Sequence, residues 1–257
     1  MANSMRGGSG ERIRSVEITL DIIEVVQERG KVGVTELARE LDHSKSTMFN
    51  HLHTLEEREL LVREPDGYRL SLRVLDMANH VRDQVGNYDV IQSEVDTLAE
   101  ETGEIAQFGI EEHGKVSYLY KKTGDRGVES ASRVGTQQPM YSTGLGKSIL
   151  AFLPDEKADE IIRQTEYTVL TPNTISSEAE LREELAEIRE RGYAVDDEEN
   201  FVGLRCVAAP VTDNETVLGA VSITGPSSRF TMDRLREELS DEVQRAANVI
   251  ELNTKFA

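Results

Sequence analysis

The sequence predicts a multidomain chain: an all-α winged helix-turn-helix domain at the N-terminal end, then an α+β domain with an antiparallel sheet. Three observations carry this. A short helix, a tight break and a longer helix fit "VTELARELDHSKSTMFNHLHTLEE", a two-stranded ribbon fits "LLVREPDGYRLS", and beyond Asn87 helical and extended segments alternate. The 257 residues suffice for two cores. The expected boundaries are a flexible terminus over 1–10, the winged domain over 11–71, a connecting helix over 72–86 and the second domain over 87–257.

In the first helix, Ile13, Val16, Leu20, Ile23 and Val26 recur at helical spacing and predict the inward stripe, with Gly30 as its stop. Thr35 is expected to cap a short helix reaching Leu41, Asp42-His43 to break the chain, and Ser44 to open the third helix. Pro65-Asp66-Gly67 between two extended runs is a hairpin signal. Residues 71–85 keep helical period through Leu72, Leu75, Ala78 and Val81. That stripe suits a partner helix from a second subunit or packing within its own chain. Further on, the pattern predicts a helix from Val90 to Thr102, a hairpin around His113-Gly114 and a helix after "STGLGKS". Two acidic amphipathic helices follow, Asp155 to Gln164 and Glu178 to Arg191, the second ended by Gly192. The strands "GYAVDD", "LRCVAAPVTD" and "TVLGAVSITGP" precede a last helix opened by Thr231.

Composition narrows the class. The start is polar and no apolar run approaches 18 residues, so the expected location is cytoplasmic with no membrane partner. The single cysteine, Cys206, excludes an internal disulfide and a Cys-pair zinc site. The five histidines lack zinc-ligand spacing, and neither metal nor cofactor is expected. A net charge of −19, with lysine scarce beside arginine, fits either a surface that repels nucleic acid or the cytosol of a halophile, where such charge keeps proteins soluble. Residues 1–84 carry 12 basic and 15 acidic side chains, against 17 and 33 over 85–257. The N-terminal third is thus the less acidic, which favours the halophile and leaves DNA binding open.

With Met48, Leu52 and Leu55 inward, the third helix turns Ser46, Thr47, Asn50, His53 and Thr54 outward. Such short hydrogen-bonding side chains suit base edges, Asn above all an adenine, and Lys45 beside the helix start suits a phosphate. A polar outer face is often merely solvated, but the short second helix, the break and the wing together point to double-stranded DNA.

"STGLGKS" ends like a phosphate-cradling loop. The full pattern needs a glycine five residues before Gly146, and Tyr141 stands there, so no nucleotide site is expected. What remains is a helix start whose free N–H groups, at Gly144 and Leu145, favour a carboxylate. Ser222 and Thr224, two apart on one strand, point to one face and can donate to the same ligand, while Asp196 can accept from a ligand hydroxyl. Singly, each has a plainer reading: Cys206 an inert buried side chain, the hydroxyls satisfying neighbouring backbone, and Asp196 to Glu199 a solvated loop.

The stretch "GVTELARELDHSKSTMFNHLHTLEERELLVREPDGYRL" resembles the DNA-binding domain of IclR-type transcriptional regulators, in its Lys45-Ser46-Thr47 run and in Tyr68-Arg69-Leu70 closing the wing. Many members have Arg where this chain has Asn50. The resemblance continues through "GTQQPMYSTGLGKSILAFL", "RGYAVDDEENFVGLRCVAAPV" and "VSITGP", nearly the whole chain. It implies a GAF-like effector domain for a small organic acid, with Asp196, Cys206, Ser222 and Thr224 around the ligand. It adds Arg69 to the DNA contacts and implies a homodimer or a dimer of dimers. The implied function is a ligand-responsive regulator of a catabolic operon, not an enzyme. The alternative from another class is a thiol-dependent enzyme using Cys206, which lacks a resolving cysteine and an evident base.

Overall fold

The computed structural model describes residues 12–128, 132–214 and 216–254; the terminus over 1–10 lies outside them. The chain divides into two compact units between Gln84 and Val85.

The first unit contains α1 (Arg14–Arg29), α2 (Val34–Glu40), α3 (Lys45–Glu57), an antiparallel ribbon of β1 (Leu61–Glu64) and β2 (Gly67–Leu70), and α4 (Arg73–Asp83). Its core joins Ile22 and Val26 of α1, Leu37 of α2, Met48 and Leu52 of α3, and Leu61 and Tyr68 of the ribbon. Two expectations fail here. α1 buries Ile18, Ile22, Val25 and Val26, whereas Ile13, Val16 and Leu20 stay 66, 50 and 53% exposed. This helix is apolar on two sides, and the stripe at i, i+4 and i+7 from Ile18 meets α3 and β2. Thr35 is no cap either. Two backbone bonds with Tyr68 (3.0 and 2.9 Å) pin Val32, so the chain turns at once and Gly33 caps α2 without a side-chain bond. Ser44 does cap α3, accepting from Thr47 N at 3.0 Å.

The second unit opens with α5 (Tyr88–Thr102), β3 (Ile105–Glu112), β4 (Lys115–Thr123), β5 (Gln137–Pro139), α6 (Gly144–Phe152), α7 (Asp155–Gln164) and α8 (Glu178–Arg191). It continues with β6 (Ala194–Asp197), β7 (Leu204–Asp213), β8 (Thr216–Pro226), α9 (Met232–Arg234), a π-helical turn Leu235–Leu239 and α10 (Ser240–Thr254). The six strands form one antiparallel sheet in the order β5-β4-β3-β8-β7-β6.

Alternation along the strands builds two cores, one on each face. Ala106, Phe108, Val207, Ala209, Val221 and Ile223 pack with Leu98 of α5 and Val243 and Ile250 of α10. Ala208 and Ala220 face the other way, with Leu145 and Ile149 of α6 and Leu185 of α8. Two features go beyond the expected elements. β5 is only three residues long and ends in Pro139, too short for a period, and the last helix is interrupted by the π-turn.

Candidate functional site

In the first unit, Lys45, Ser46, Asn50 and His53 are all exposed on α3. His53 pairs with Glu57 one turn on, at 3.6 Å. Thr47 differs from the expected free reader: it is half-buried, and its hydroxyl is bonded to Ser44 Oγ at 2.8 Å as part of the cap. Thr54 returns its hydroxyl to the Asn50 carbonyl at 2.9 Å. Arg69 is held inside the wing, donating to Glu64 at 2.7 Å and to the Leu70 carbonyl at 3.1 Å. Phe49, which sequence reasoning passed over as an ordinary apolar residue, is 46% exposed beside these groups. The signal was there: Phe49 directly follows the inward-facing Met48 and cannot share its face.

In the second unit, sheet register sets the floor of a cavity. Asp196 pairs with Cys206 and Cys206 with Thr224, making one row; Ala208, Ser222 and Gln107 make the next. The N-terminus of α6 stands over both rows. Thr143 caps it, accepting from Gly146 N and donating to the Pro139 carbonyl, both at 3.0 Å. The first intrahelical bond runs from Lys147 N to Thr143 O at 2.9 Å, so the amides of Gly144 and Leu145 precede the ladder. Glycine is required for this approach: a Cβ on Gly144 would lie 2.9 Å from Cys206 Sγ, and one on Gly146 2.5 Å from Met140. Gly144, Leu145, Asp196, Cys206, Ser222 and Thr224 thus line one cavity of about 40 Å³, together with Gln107 and Asn200.

The chemistry of the lining is specific. Ser222 is wholly buried, and its Oγ lies beside the Cys206 sulfur without a hydrogen-bond partner of normal geometry. Thr224 donates to Gln107 Oε1 at 3.4 Å, and Gln107 donates to Ser132 Oγ at 2.7 Å. Asp196 is no solvated loop residue. It is 7% exposed and accepts from Glu199 N at 2.7 Å and Asn200 N at 3.4 Å. Burial, reinforced by the Glu199 charge, pushes its carboxyl up to about 7. Burial, with Asp196 adding, pushes the Cys206 thiol up to about 12, so it carries no thiolate at neutral pH.

Behind the cavity, Lys147 is 1% exposed, with Nζ 2.5 Å from Glu199 Oε1 and 3.4 Å from Glu184 Oε1. The lysine of "GLGKS" is therefore tied into an ion pair and not presented to a phosphate. Sequence alone does not show this pair, since 52 positions separate its partners. Gln107 was more legible, as the lone amide in the buried run "IAQFGI".

Residues 15–65 match the IclR helix-turn-helix domain, and residues 83–252 match the bacterial transcriptional regulator IclR C-terminal domain. The chain belongs to the IclR family of DNA-binding transcriptional regulators. A Halobacterium salinarum relative described as "Probable HTH-type transcriptional regulator ArcR" is 32% identical over 255 residues, covering 97% of each chain. The crystal structure of the Thermotoga maritima IclR superposes with a TM-score of 0.80 at 31% identity, over 94% of this chain and 99% of that one. An IclR homologue from Microbacterium hydrocarbonoxydans, complexed with 4-hydroxybenzoate, shares the fold at 20% identity with a TM-score of 0.79, over 95% of this chain and 98% of that one. These relatives and both matched domains belong to transcriptional regulators, not enzymes, which agrees with the buried, protonated Cys206. No described helix is long and apolar enough to cross a membrane, and among the described residues no cluster of His, Cys, Asp or Glu could hold a metal ion.

Proposed function

We propose that this IclR-family regulator is a one-component cytoplasmic sensor of a small organic acid, controlling a catabolic operon. Lys45, Ser46, Thr47, Asn50, His53 and Arg69 form its DNA face, Thr47 by fixing the helix start and Arg69 by stiffening the wing. The acid's carboxylate sits against the Gly144 and Leu145 amides, with Asp196, Cys206, Ser222 and Thr224 around the rest of the molecule. One observation carries this reading: a fully buried hydroxyl without a partner, Ser222, faces a helix start with amides to spare. An unmet buried donor costs about 1–3 kcal/mol, so the arrangement favours a ligand that accepts from it. The 4-hydroxybenzoate complex of a protein of the same fold supports an organic acid as the class of ligand. The present cavity has room for roughly three water-sized groups, which points to an acid of few carbons.

The working form is a homodimer or dimer of dimers. α4 buries none of its residues, and Leu72, Leu75, Met77 and Val81 are 78, 59, 48 and 56% exposed. The unused stripe of α1 adds Ile13, Val16 and Leu20. Paired copies through these stripes would set the distance between two reading helices, which must match half-site spacing, and an acid that prefers one arrangement shifts DNA affinity. The acidic surface and the Halobacterium relative support function in concentrated salt.

Thermal-shift measurement against a panel of small organic acids in molar salt tests the reading. An acid that binds only the native state raises the melting temperature, by an amount equivalent to about 2.7 kcal/mol at a hundredfold excess over Kd. The expected result is a hit whose shift shrinks in Ser222→Ala. A panel without any shift, or a shift untouched by Ser222→Ala, refutes the pocket assignment.

A further inference from the structure

We propose that Phe49 reads DNA, its ring taking the 5-methyl group of a thymine in the major groove. This inference rests on α3 as the DNA-facing helix and goes beyond it by adding an apolar reader to a face otherwise made of polar ones.

Phe49 is 46% exposed, while Met48 and Leu52 on the same helix are fully buried. The ring is also held in place. It stacks on His53 one turn later, with ring centroids 6.1 Å apart and planes 21° from parallel. Ser46, Asn50 and His53 lie on the same side of the helix, all exposed. From His43 to Leu55 there is no Asp or Glu, in a chain with 48 of them. That clearance, with Lys45 at the positive end of the helix and Glu57 the one carboxylate paired to this face among the described residues, suits a polyanion.

On the major-groove edge of duplex DNA the thymine methyl is the one apolar group, and Phe is among the side chains that pack on it. The rise per helical residue is about 1.5 Å and the rise per base pair about 3.4 Å, so neighbouring side chains reach the same or adjacent base pairs. If Asn50 holds an adenine through two bonds, the thymine met by Phe49 lies within one or two base pairs of it.

The test uses the full-length protein and duplexes selected from a random pool. Each thymine in the selected sequence is replaced by deoxyuridine, which removes only the methyl, and affinity is read by fluorescence anisotropy. One thymine per half-site is expected to matter, its replacement weakening the wild type about fourfold for each methyl lost from contact. Phe49→Ala should bind thymine and uridine duplexes alike, while Phe49→Leu, which keeps an apolar contact, should retain part of the preference. Because the ring is half exposed and alanine is a better helix former, Phe49→Ala should melt close to wild type. If no sequence is enriched, DNA reading by α3 fails and Phe49 falls with it. If sequences are enriched but uridine is tolerated at every position, or Phe49→Ala keeps the thymine preference, the helix reads DNA and Phe49 does not. A fall in oligomeric mass in Phe49→Ala with DNA affinity unchanged would place the ring at a contact between copies and overturn the proposal.

Discussion

α3 and α6 begin alike and end in opposite environments. Each opens at a hydroxyl cap, Ser44 accepting from Thr47 N and Thr143 from Gly146 N, both at 3.0 Å. α3 then buries one stripe, Met48, Leu52 and Leu55, and leaves its other side to solvent. α6 buries every residue from Gly144 to Ala151. A helix exposed along its length can recognise a large partner with side chains. One enclosed on all sides has only its end to offer, and recognises with backbone amides. The energetic consequence is a division of labour: changes on α3 should cost DNA affinity and little stability, while changes around α6 should cost stability, ligand affinity or both.

The largest expected effect is at Lys147. Lys147→Met strips the cation from Glu199, whose second carboxylate oxygen, Oε2, already has no partner, and should destabilise the protein by about 3–5 kcal/mol in chemical denaturation. The exposed Lys45→Ala should change stability by under about 0.5 kcal/mol. Equal losses at the two lysines would break the comparison.

Asp196 gives the next effect, and its sign is opposite to that of most carboxylates. Its folded value of about 7 lies above the ordinary aspartate value of 3.8, so the native state holds the proton more tightly than the unfolded chain. The stability this confers is complete below about pH 4 and is lost as pH rises through about 7, with a slope of at most about 1.4 kcal/mol per pH unit from this group. Asp196→Asn, which keeps the acceptor for Glu199 N, should flatten that decline in denaturation curves taken from pH 5 to 8. A decline of undiminished slope in the variant would assign it to other groups.

On α3 the effects are smaller and confined to DNA. Asn50→Ala should cost about 1–3 kcal/mol at one base position and relax preference there, as read by competition among operator variants. Lys45→Ala should weaken all sequences alike and reduce the salt slope of binding by about 1. Equal loss on every sequence in Asn50→Ala would move Asn50 from base reading to phosphate contact.

What could be read in advance follows the same divide. The amphipathic helices from Asp155 to Gln164 and from Glu178 to Arg191, the Ser44 cap and the wing are set by local period and turn chemistry, and the structure has them at those positions. Of the six cavity residues, Gly144 and Leu145 at a helix start and Ser222 and Thr224 on one strand face carry local signals, whereas Cys206 and the placing of Asp196 beside them came only with the family resemblance. Tertiary choices were not legible. α1 has two apolar stripes and only packing selects the one through Ile18 and Ile22. Gly33 displaces Thr35 as the α2 cap because Tyr68, far along the chain, pins Val32. The Lys147–Glu199 pair and the exposure of Phe49 likewise depend on neighbours distant in sequence.

The central claim, that a small acid in the α6 cavity governs the α3 face, is tested most directly by measuring operator affinity with and without an acid found by thermal shift, in wild type and Ser222→Ala. The account predicts a change of roughly 5–150-fold in wild type, the usual range of coupling between two sites. In Ser222→Ala the acid-free DNA affinity should be unchanged, with about tenfold more acid needed to produce the same response. An acid that binds the wild type without altering DNA affinity, or a response identical in Ser222→Ala, would contradict it.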